Sequence, residues 1–451
     1  MTAGNGEMQG GTTQAAPATD PGPRRPRWPQ RYTLVGLCAC AVFICYIDRV
    51  NISVAAIAMQ ADLGWSETVK GVVLSSFFVG YLLTQIPGGW LANRFGGRWV
   101  LGAGVLLWSV FTILTPPAAM TSMALLIAVR IGMGIGEGVT FPAIYSLFSK
   151  WVPSSETSRA VASTYSGVPA GTLTALLATG LIVNSLGWPA VFYLFGGLGF
   201  VWVAVWFLRA TESPETHPRV SAAEVELIRA GRAGGKGTAK VPWRELFSKA
   251  PVWALIVNHF CFNWGFYVLL SWLPSYFSGA LGVDVRGAAL YAAAPWVTTF
   301  AMMNVSAWLA DRMLKAGRSL LFVRKLMQTI GALGPAVFLF LLRDASSAGT
   351  AVLLLCGALG LAAFATAGFA PNHLEIAPRH ADVLMGITNT AGTIPGIVGV
   401  IVTGWLVDVS GSYAPAFLLA AGLYLFGAVV WLLFAAAEPV LGSPLEPNRS
   451  T

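Results

Sequence analysis

Charge is what this chain most lacks. Only 11% of its 451 residues are Asp, Glu, Lys or Arg, against roughly 25% in soluble domains, which excludes an ordinary water-soluble globule. Its five cysteines, Cys38, Cys40, Cys45, Cys261 and Cys356, all fall inside apolar runs. Neither a disulfide framework nor a Cys-x-x-Cys metal knuckle is available, and they read as small core residues. Of the four histidines, His217, His373 and His380 fall in or near polar turns with no metal-ligand spacing. No nucleophile with its base occurs at helical spacing, so an intramembrane enzyme is not expected. The Gly-rich segments lie inside apolar runs instead of between a strand and a helix, so no nucleotide or other cofactor is expected. Long polar stretches are missing too: only 210–250 could hold even a small soluble domain, which leaves no room for a separate soluble enzyme. Residues 1–31 end in the basic cluster Arg24, Arg25, Arg27 and Arg31 with no apolar segment before it. They are expected to form a disordered, non-translocated tail and not a signal peptide.

What is present is hydrophobic: 55% of residues, with a mean hydropathy of +0.66. Runs of about 20 apolar residues, the length that crosses ~30 Å of hydrocarbon as a helix, occur at 32–58, 69–91, 99–119, 123–147, 158–185 and 188–209. A second set lies at 251–278, 288–310, 323–342, 349–371, 383–408 and 413–436. The expected fold is therefore an all-α polytopic membrane protein of twelve transmembrane helices in two pseudo-symmetric six-helix bundles, 32–209 and 251–438. A cytoplasmic connector, 210–250, joins them, and a cytoplasmic tail, 439–451, follows. Within the connector, Ala222 to Ile228 has the pattern of a short amphipathic helix, expected to tether the halves. The 17 tryptophans suit interfacial belts and bundle packing.

Basic residues set the orientation. With both termini cytoplasmic, the inside loops hold Arg94, Arg98, Lys150, Arg159, Arg312, Lys315, Arg318, Arg324, Lys325, Arg379 and the connector's own cluster, whereas the outside loops hold only Lys70, Arg286 and Arg343. The positive-inside rule then places both ends in the cytoplasm; in a bacterium the membrane would be the inner one. The net charge of +8 is thus an orientation signal, not a nucleic-acid footprint.

The chain also repeats itself. Trp90-Leu91-Ala92-Asn93-Arg94 with Arg98 follows the second run, and Trp308-Leu309-Ala310-Asp311-Arg312 with Arg318 follows the eighth. Pro189-Ala190-Val191-Phe192 opens the sixth, and Pro415-Ala416-Phe417 the twelfth. Parallel halves related by an axis along the membrane normal describe a rocking transporter with its site between them near mid-bilayer.

Four charges depart from the loops: Asp48 and Arg49 in the first run, Arg130 and Glu137 in the fourth. An ionised side chain in hydrocarbon costs at least ~2.5–3.5 kcal/mol, so such groups face a protein-lined or wet cavity. Arg130 and Glu137 are two turns apart on one helical face, about 10 Å along the axis, and can address one cavity. The glycines interleaved with them, Gly132 to Gly138, let a neighbouring helix approach closely. Asp48 and Arg49 point about 100° apart and can flank one wall. Arg49 is the candidate anion ligand, because a guanidinium fork fits a carboxylate or phosphate. Asp48 and Glu137 are the candidate proton carriers, because burial favours a neutral carboxyl. The other reading of Glu137 is that it only neutralises an arginine.

Secondary lining candidates are Tyr46, Tyr81, Gln85, Tyr165 and Ser166 in the first half. In the second they are His259, Asn263, Trp264, Tyr267, Thr388, Asn389, Thr390 and Thr393. Tyr81/Gln85, His259/Asn263 and Asn263/Tyr267 are i, i+4 pairs on single faces. Each of these residues could equally serve an interhelical hydrogen bond.

The turn from Gly88 to Arg98 (GGWLANRFGGR) resembles the signature loop of the major facilitator superfamily. In that loop an acid and arginines latch neighbouring helices, so Asn93, Arg94, Arg98, Asp311 and Arg312 are implied as gating residues. Asn93 replaces the usual acid while Asp311 keeps it, which puts a strong ionic latch in the first half in doubt. YIDRVN at Tyr46 to Asn51, RIGMGIGEGVTFPA from Arg130, HFCFNWGFY from His259, NHLEIAP from Asn372 and LMGITNT from Leu384 are in register over nearly the whole chain. Together they resemble the anion:cation symporter branch: sialin, vesicular glutamate transporters, plastid phosphate transporters and bacterial hexonate symporters. The resemblance implies proton coupling and anion binding at the positions matching Asp48, Arg49, Arg130 and Glu137. The seventh-run arginine of the glutamate transporters is Phe262 here and the acid of their NHLDIAP-like turn is Glu375, so glutamate loading is not expected. The partners expected are a small anionic substrate, a proton or sodium ion and the lipid bilayer, with the chain acting as a monomer.

Overall fold

The protein is described by a computed structural model that covers residues 2, 28–153, 155–231, 242–378 and 380–440. Most of the expected tail 1–31, the C-terminal residues from 441, Arg379 and 232–241 of the connector lie outside the described residues. Among the described residues every regular element is a helix. The first half runs α1 (Gln30–Leu63), α2 (Glu67–Phe95), α3 (Gly97–Thr121), α4 (Met123–Gly138) continued by α5 (Thr140–Trp151), α6 (Thr157–Tyr165) continued by α7 (Gly167–Leu186), and α8 (Trp188–Arg209). The connector contributes α9 (Ala222–Ala230) and α10 (Trp243–Ser248). The second half runs α11 (Ala250–Gly279), α12 (Val285–Lys315), α13 (Leu320–Leu342), α14 (Ala348–Ala362) with α15 (Ala365–Gly368) and α16 (Asn372–Ile376), α17 (Ala381–Ser410) and α18 (Ala414–Phe434).

Ten of these stretches are long and apolar enough to cross a bilayer, and α2 makes an eleventh, bent by 53° at Pro87. A proline inside a helix deletes a backbone hydrogen bond and kinks it. The twelfth, α12, has the length, at 31 residues, but its Ala, Thr, Ser and Asn lower its hydropathy. We call the face where α1 begins the terminal face and the opposite one the far face.

Helices approach closely where side chains are missing. Gly80 of α2 lies on the Ile131 carbonyl of α4, and Gly134 of α4 on the Phe77 carbonyl of α2, so a Cβ at either would meet backbone. This is the small-residue contact that membrane helices use in place of hydrophobic attraction. The halves meet chiefly along α2 with α17 and α7 with α12, with α1 against α11 between them.

The connector is more than a tether. Glu224 of α9 accepts from the backbone N–H groups of Gln30 and Arg31 (both 3.1 Å), the free donors at the start of α1, and pairs with Arg31 at 3.2 Å. Arg31 also pairs with Glu156 at 2.8 Å, and its hydrogen bonds hold the Glu156 carboxyl below the ordinary glutamate value. Ile228 of α9 is fully buried, and Leu246 of α10 is buried against Val252, Leu255 and Ile376 of the second half. Each end of the connector is thus built into its own bundle.

Candidate functional site

The first-run arginine and fourth-run glutamate meet in the interior. Glu137 Oε2 accepts from Arg49 Nε (3.2 Å) and Nη2 (3.0 Å) and from the Cys45 thiol (3.1 Å), while Oε1 is buried without a partner. Three donors crowd one oxygen and the other stays vacant. The Arg49 guanidinium lies over the rings of Tyr81 (4.6 Å), Tyr46 (4.8 Å) and Phe77 (5.0 Å), a cage in which cation–π attraction replaces part of the lost hydration. Cys45 stands one turn before Arg49, a spacing visible in the sequence; its reading as a bland core residue missed this contact.

Arg130 differs. It is 1% exposed, and its Nη1 touches only Met133 Sδ at 3.0 Å while the guanidinium lies 5.6 Å from the Phe77 ring. Among the described residues it has no carboxylate partner. Arg130, Arg49, Ser53 and Ser271 line a cavity between the halves with about 10 Å³ of room for water, roughly one water molecule. Arg130 and Glu137 differ in their direct partners: Glu137 pairs with Arg49, whereas Arg130 makes no direct ion pair among the described residues and acts on Glu137 and Asp48 only across space.

Asp48 does not flank the cavity beside Arg49. It is 0% exposed, both its oxygens lack partners, and it faces the indole of Trp108 on α3, whose N–H is likewise unbonded. Asn51, one turn on, is buried and unsatisfied at both amide atoms. Unpaired buried polar groups are expensive, and their clustering around α1 marks a place where fold economy yields to something else.

The secondary candidates divide. Gln85 spans the halves, donating to Thr393 Oγ1 and accepting from Asn389 Nδ2 (both 2.9 Å). Asn263 donates to the Gly392 carbonyl at 2.8 Å, and Tyr267 packs on Phe78 of the first half at 4.6 Å. Trp264 is buried against Gly399. His259 is buried beside Phe369, with Nδ1 unbonded. Thr390 bonds back to the Gly386 carbonyl at 2.8 Å and Ser166 to that of Ser163 at 2.6 Å, which suits helix packing more than ligand contact. Tyr165 is 44% exposed, stacks on Phe141 and meets the Tyr145 hydroxyl at 3.4 Å. It is electrostatically close to Tyr46 and Tyr81, so an aromatic cluster reaches from the cage to the exposed Tyr145 and Tyr165. Thr388 is held by His373, which sits in the short helix α16 between turns, is 1% exposed and joins Thr388 Oγ1 at 2.8 Å.

The gating residues differ in their contacts. Asn93, Arg94 and Asp311 are exposed without ion-pair partners among the described residues, and Arg312 lies over Trp308 at 5.2 Å. A first-half latch exists all the same, made by a distant acid. Glu212, just after α8, accepts from the backbone of Gly97 (3.1 Å) and Arg98 (2.9 Å) and pairs with Lys150, while Arg98 donates to the Phe207 carbonyl at 3.0 Å. In the second half Arg324 and Glu375 carry the corresponding pair, at 2.7 Å.

Residues 38–400 match the model of the Major Facilitator Superfamily. Across 92% of its length the chain is 45% identical to the probable anion transporter 4, chloroplastic, of Oryza sativa subsp. japonica, covering 70% of that protein. It is 44% identical to the sodium-dependent phosphate transport protein 1, chloroplastic, of Arabidopsis thaliana, covering 81% of it, again over 92% of this chain. The ascorbate transporter, chloroplastic, of the same plant is 43% identical over 92% of this chain and 76% of its own. Among solved structures, the inward-facing, occupied bacterial homolog of the human lysosomal transporter Spinster superposes with a TM-score of 0.74 at 17% identity, over 90% of this chain and 97% of that one. The D-xylose-proton symporter gives 0.72 at 18%, over 92% and 99%. At those identities the two structures speak for the fold alone.

Proposed function

This chain belongs to the Major Facilitator Superfamily, and from that premise we propose that it is a proton-coupled symporter of a small organic anion, a sugar acid or another carboxylate, working by rocker-switch alternating access with both termini cytoplasmic. That it is a membrane transporter, not an enzyme, follows from the family and its relatives. The single observation carrying the finer reading is the contrast between Arg49, directly ion-paired with Glu137, and Arg130, a buried cation that makes no direct ion pair among the described residues.

The chemistry then runs in one order. A proton taken up on the vacant Oε1 of Glu137 cancels the charge that holds Arg49 and releases its fork. Two arginines now face one cavity, and an anionic group there is worth more to them than water is, because opposite charges attract strongly where solvent is excluded. Proton and anion enter as a neutral sum, which lowers the cost of turning the site across the bilayer. Asp48, buried and unpaired, is the second proton carrier. His259, Asn263, Thr388, Asn389 and Thr393 offer imidazole, amide and hydroxyl groups for the uncharged end of the substrate, with Gln85 switching from its cross-half bonds.

In proteoliposomes, Glu137→Gln should retain counterflow exchange of the anion while losing accumulation driven by a pH gradient. Unchanged accumulation in that variant would overturn the coupling role. A second reading, sodium-dependent phosphate uptake, is favoured by the named activity of the Arabidopsis thaliana relative. Replacing the pH gradient by a sodium gradient, and the carboxylate by phosphate, separates the two.

A further inference from the structure

On the far face one carboxylate bridges the two halves. Asp408, near the end of α17, reaches across to the first turn of α2 in the other half. Its Oδ1 accepts from the Glu67 N–H at 2.9 Å, and its Oδ2 from the Thr68 N–H at 2.7 Å and from the Thr68 hydroxyl. These N–H groups are free donors of a helix start, where the macrodipole also favours negative charge. The helix already has its own cap, since Ser66 Oγ accepts from Val69 N at 3.2 Å. The Asp408 bonds are thus an addition that exists only while the two halves touch. Glu67's own carboxylate is turned away to Lys70 at 2.6 Å, and Lys70 is buried over the Trp272 ring at 5.0 Å and bound to Gln60 at 2.7 Å. That lysine, counted in the sequence as an outside loop cation, is a buttress of this seam.

Below the latch the two helices close like a seam of fixed antiparallel register. Gly404 sits on the Glu67 backbone, a Cβ at Gly71 would lie 3.0 Å from the Val400 carbonyl, and one at Gly396 would lie 2.8 Å from Phe78. The run ends at Gln85 with Thr393 and Asn389, roughly 27 Å along α2 from Glu67 at 1.5 Å per residue. Ser271 lies under this seam, at the small cavity with Arg130.

We propose that Asp408 is the latch of the far-face gate, a positioning residue whose bonds to the α2 N-terminus set how much of the population is closed on that side. The proposal rests on the alternating-access reading given above, but its test needs neither substrate nor gradient, so the coupling roles of Asp48 and Glu137 can fail without it. Two reporters are introduced separately, Ser271→Cys beneath the seam and Tyr145→Cys in the exposed aromatic cluster toward the terminal face. Purified protein in detergent is labelled with a water-soluble maleimide, the parent with its five native cysteines supplying the background. Asp408→Ala should speed labelling at the Ser271→Cys reporter by roughly tenfold or more, as the loss of several charge-assisted hydrogen bonds shifts a two-state balance, and should slow it at the Tyr145→Cys reporter. Asp408→Asn, which keeps one acceptor oxygen, should fall between and replaces the alanine variant if that one does not fold. Labelling unchanged at both reporters, or raised at both as general loosening would do, overturns the proposal.

Discussion

Arg49 and Glu137 are held by each other, so neither can be altered alone without consequence for the fold. Removing Glu137 as Ala leaves a buried guanidinium uncompensated, a change that destabilises by roughly 3–5 kcal/mol in other proteins, whereas replacing both members of such a pair by apolar residues is often neutral or stabilising. We expect the thermal melting point to fall sharply for Glu137→Ala and to recover for the double variant Arg49→Met/Glu137→Leu, with transport absent in both. A double variant that still accumulates substrate would mean the pair is architecture only. At the terminal face, Arg31 depresses the Glu156 carboxyl. A depressed acid stabilises the fold above its ordinary value, and that contribution disappears as pH falls through the folded one. The clasp should therefore be intact from neutrality down to the ordinary glutamate range. In Glu156→Gln the extra acid-induced loosening below that range should vanish, as read by proteolysis near Arg159.

Helix ends and helix contacts decide the next scale. Glu212 caps α3 from a position more than a hundred residues away in sequence, and losing such a cap costs about 0.5–2 kcal/mol. Glu212→Ala should lower stability by an amount in that range, read as a fall in melting point, and Glu212→Gln, which keeps an acceptor, by less. Where α2 and α4 touch through Gly80 and Gly134, the obstacle to a methyl group is backbone, which cannot swing aside. Gly134→Ala is expected to cost roughly 1–3 kcal/mol, as overpacking does, and to disturb Arg49 and Arg130 together because Phe77 lies under both. Ligand-independent melting of Gly134→Ala, compared with a lipid-facing control such as Leu181→Ala, measures it.

For the molecule as a whole, the far-face halves are fastened from Asp408 to Gln85 while the aromatic cluster at Tyr145 and Tyr165 stays exposed. This is the asymmetry that a rocking pair of bundles needs. The Arg49 cage, with Phe77 and Tyr81, lies within this seam, and the Gln85 bonds to Thr393 and Asn389 stand between it and the terminal face. On the alternating-access reading proposed above, the anion should bind from the terminal face once Gln85 lets go, and in counterflow experiments a bulky impermeant carboxylate added on that side should inhibit exchange. Inhibition only from the far side would contradict the placement.

Hydropathy, the doubled Trp-Leu-Ala-Asn/Asp-Arg turn and four charges in apolar runs were readable from the chain alone, because each is a local pattern answering to the low dielectric of a bilayer. Asp48, Arg49, Arg130 and Glu137 stand out on that ground without any coordinates. Which carboxylate meets which arginine was not readable: seven-residue spacing put Arg130 and Glu137 on one face about 10 Å apart and left the glutamate's partner open, and the tertiary fold gave the glutamate to Arg49 and set Asp48 against Trp108. Likewise nothing near Asn93 announces Glu212, and nothing near Glu67 announces Asp408. Partners from 88 to 341 residues apart are chosen by how helices cross, and only the assembled fold fixes those crossings.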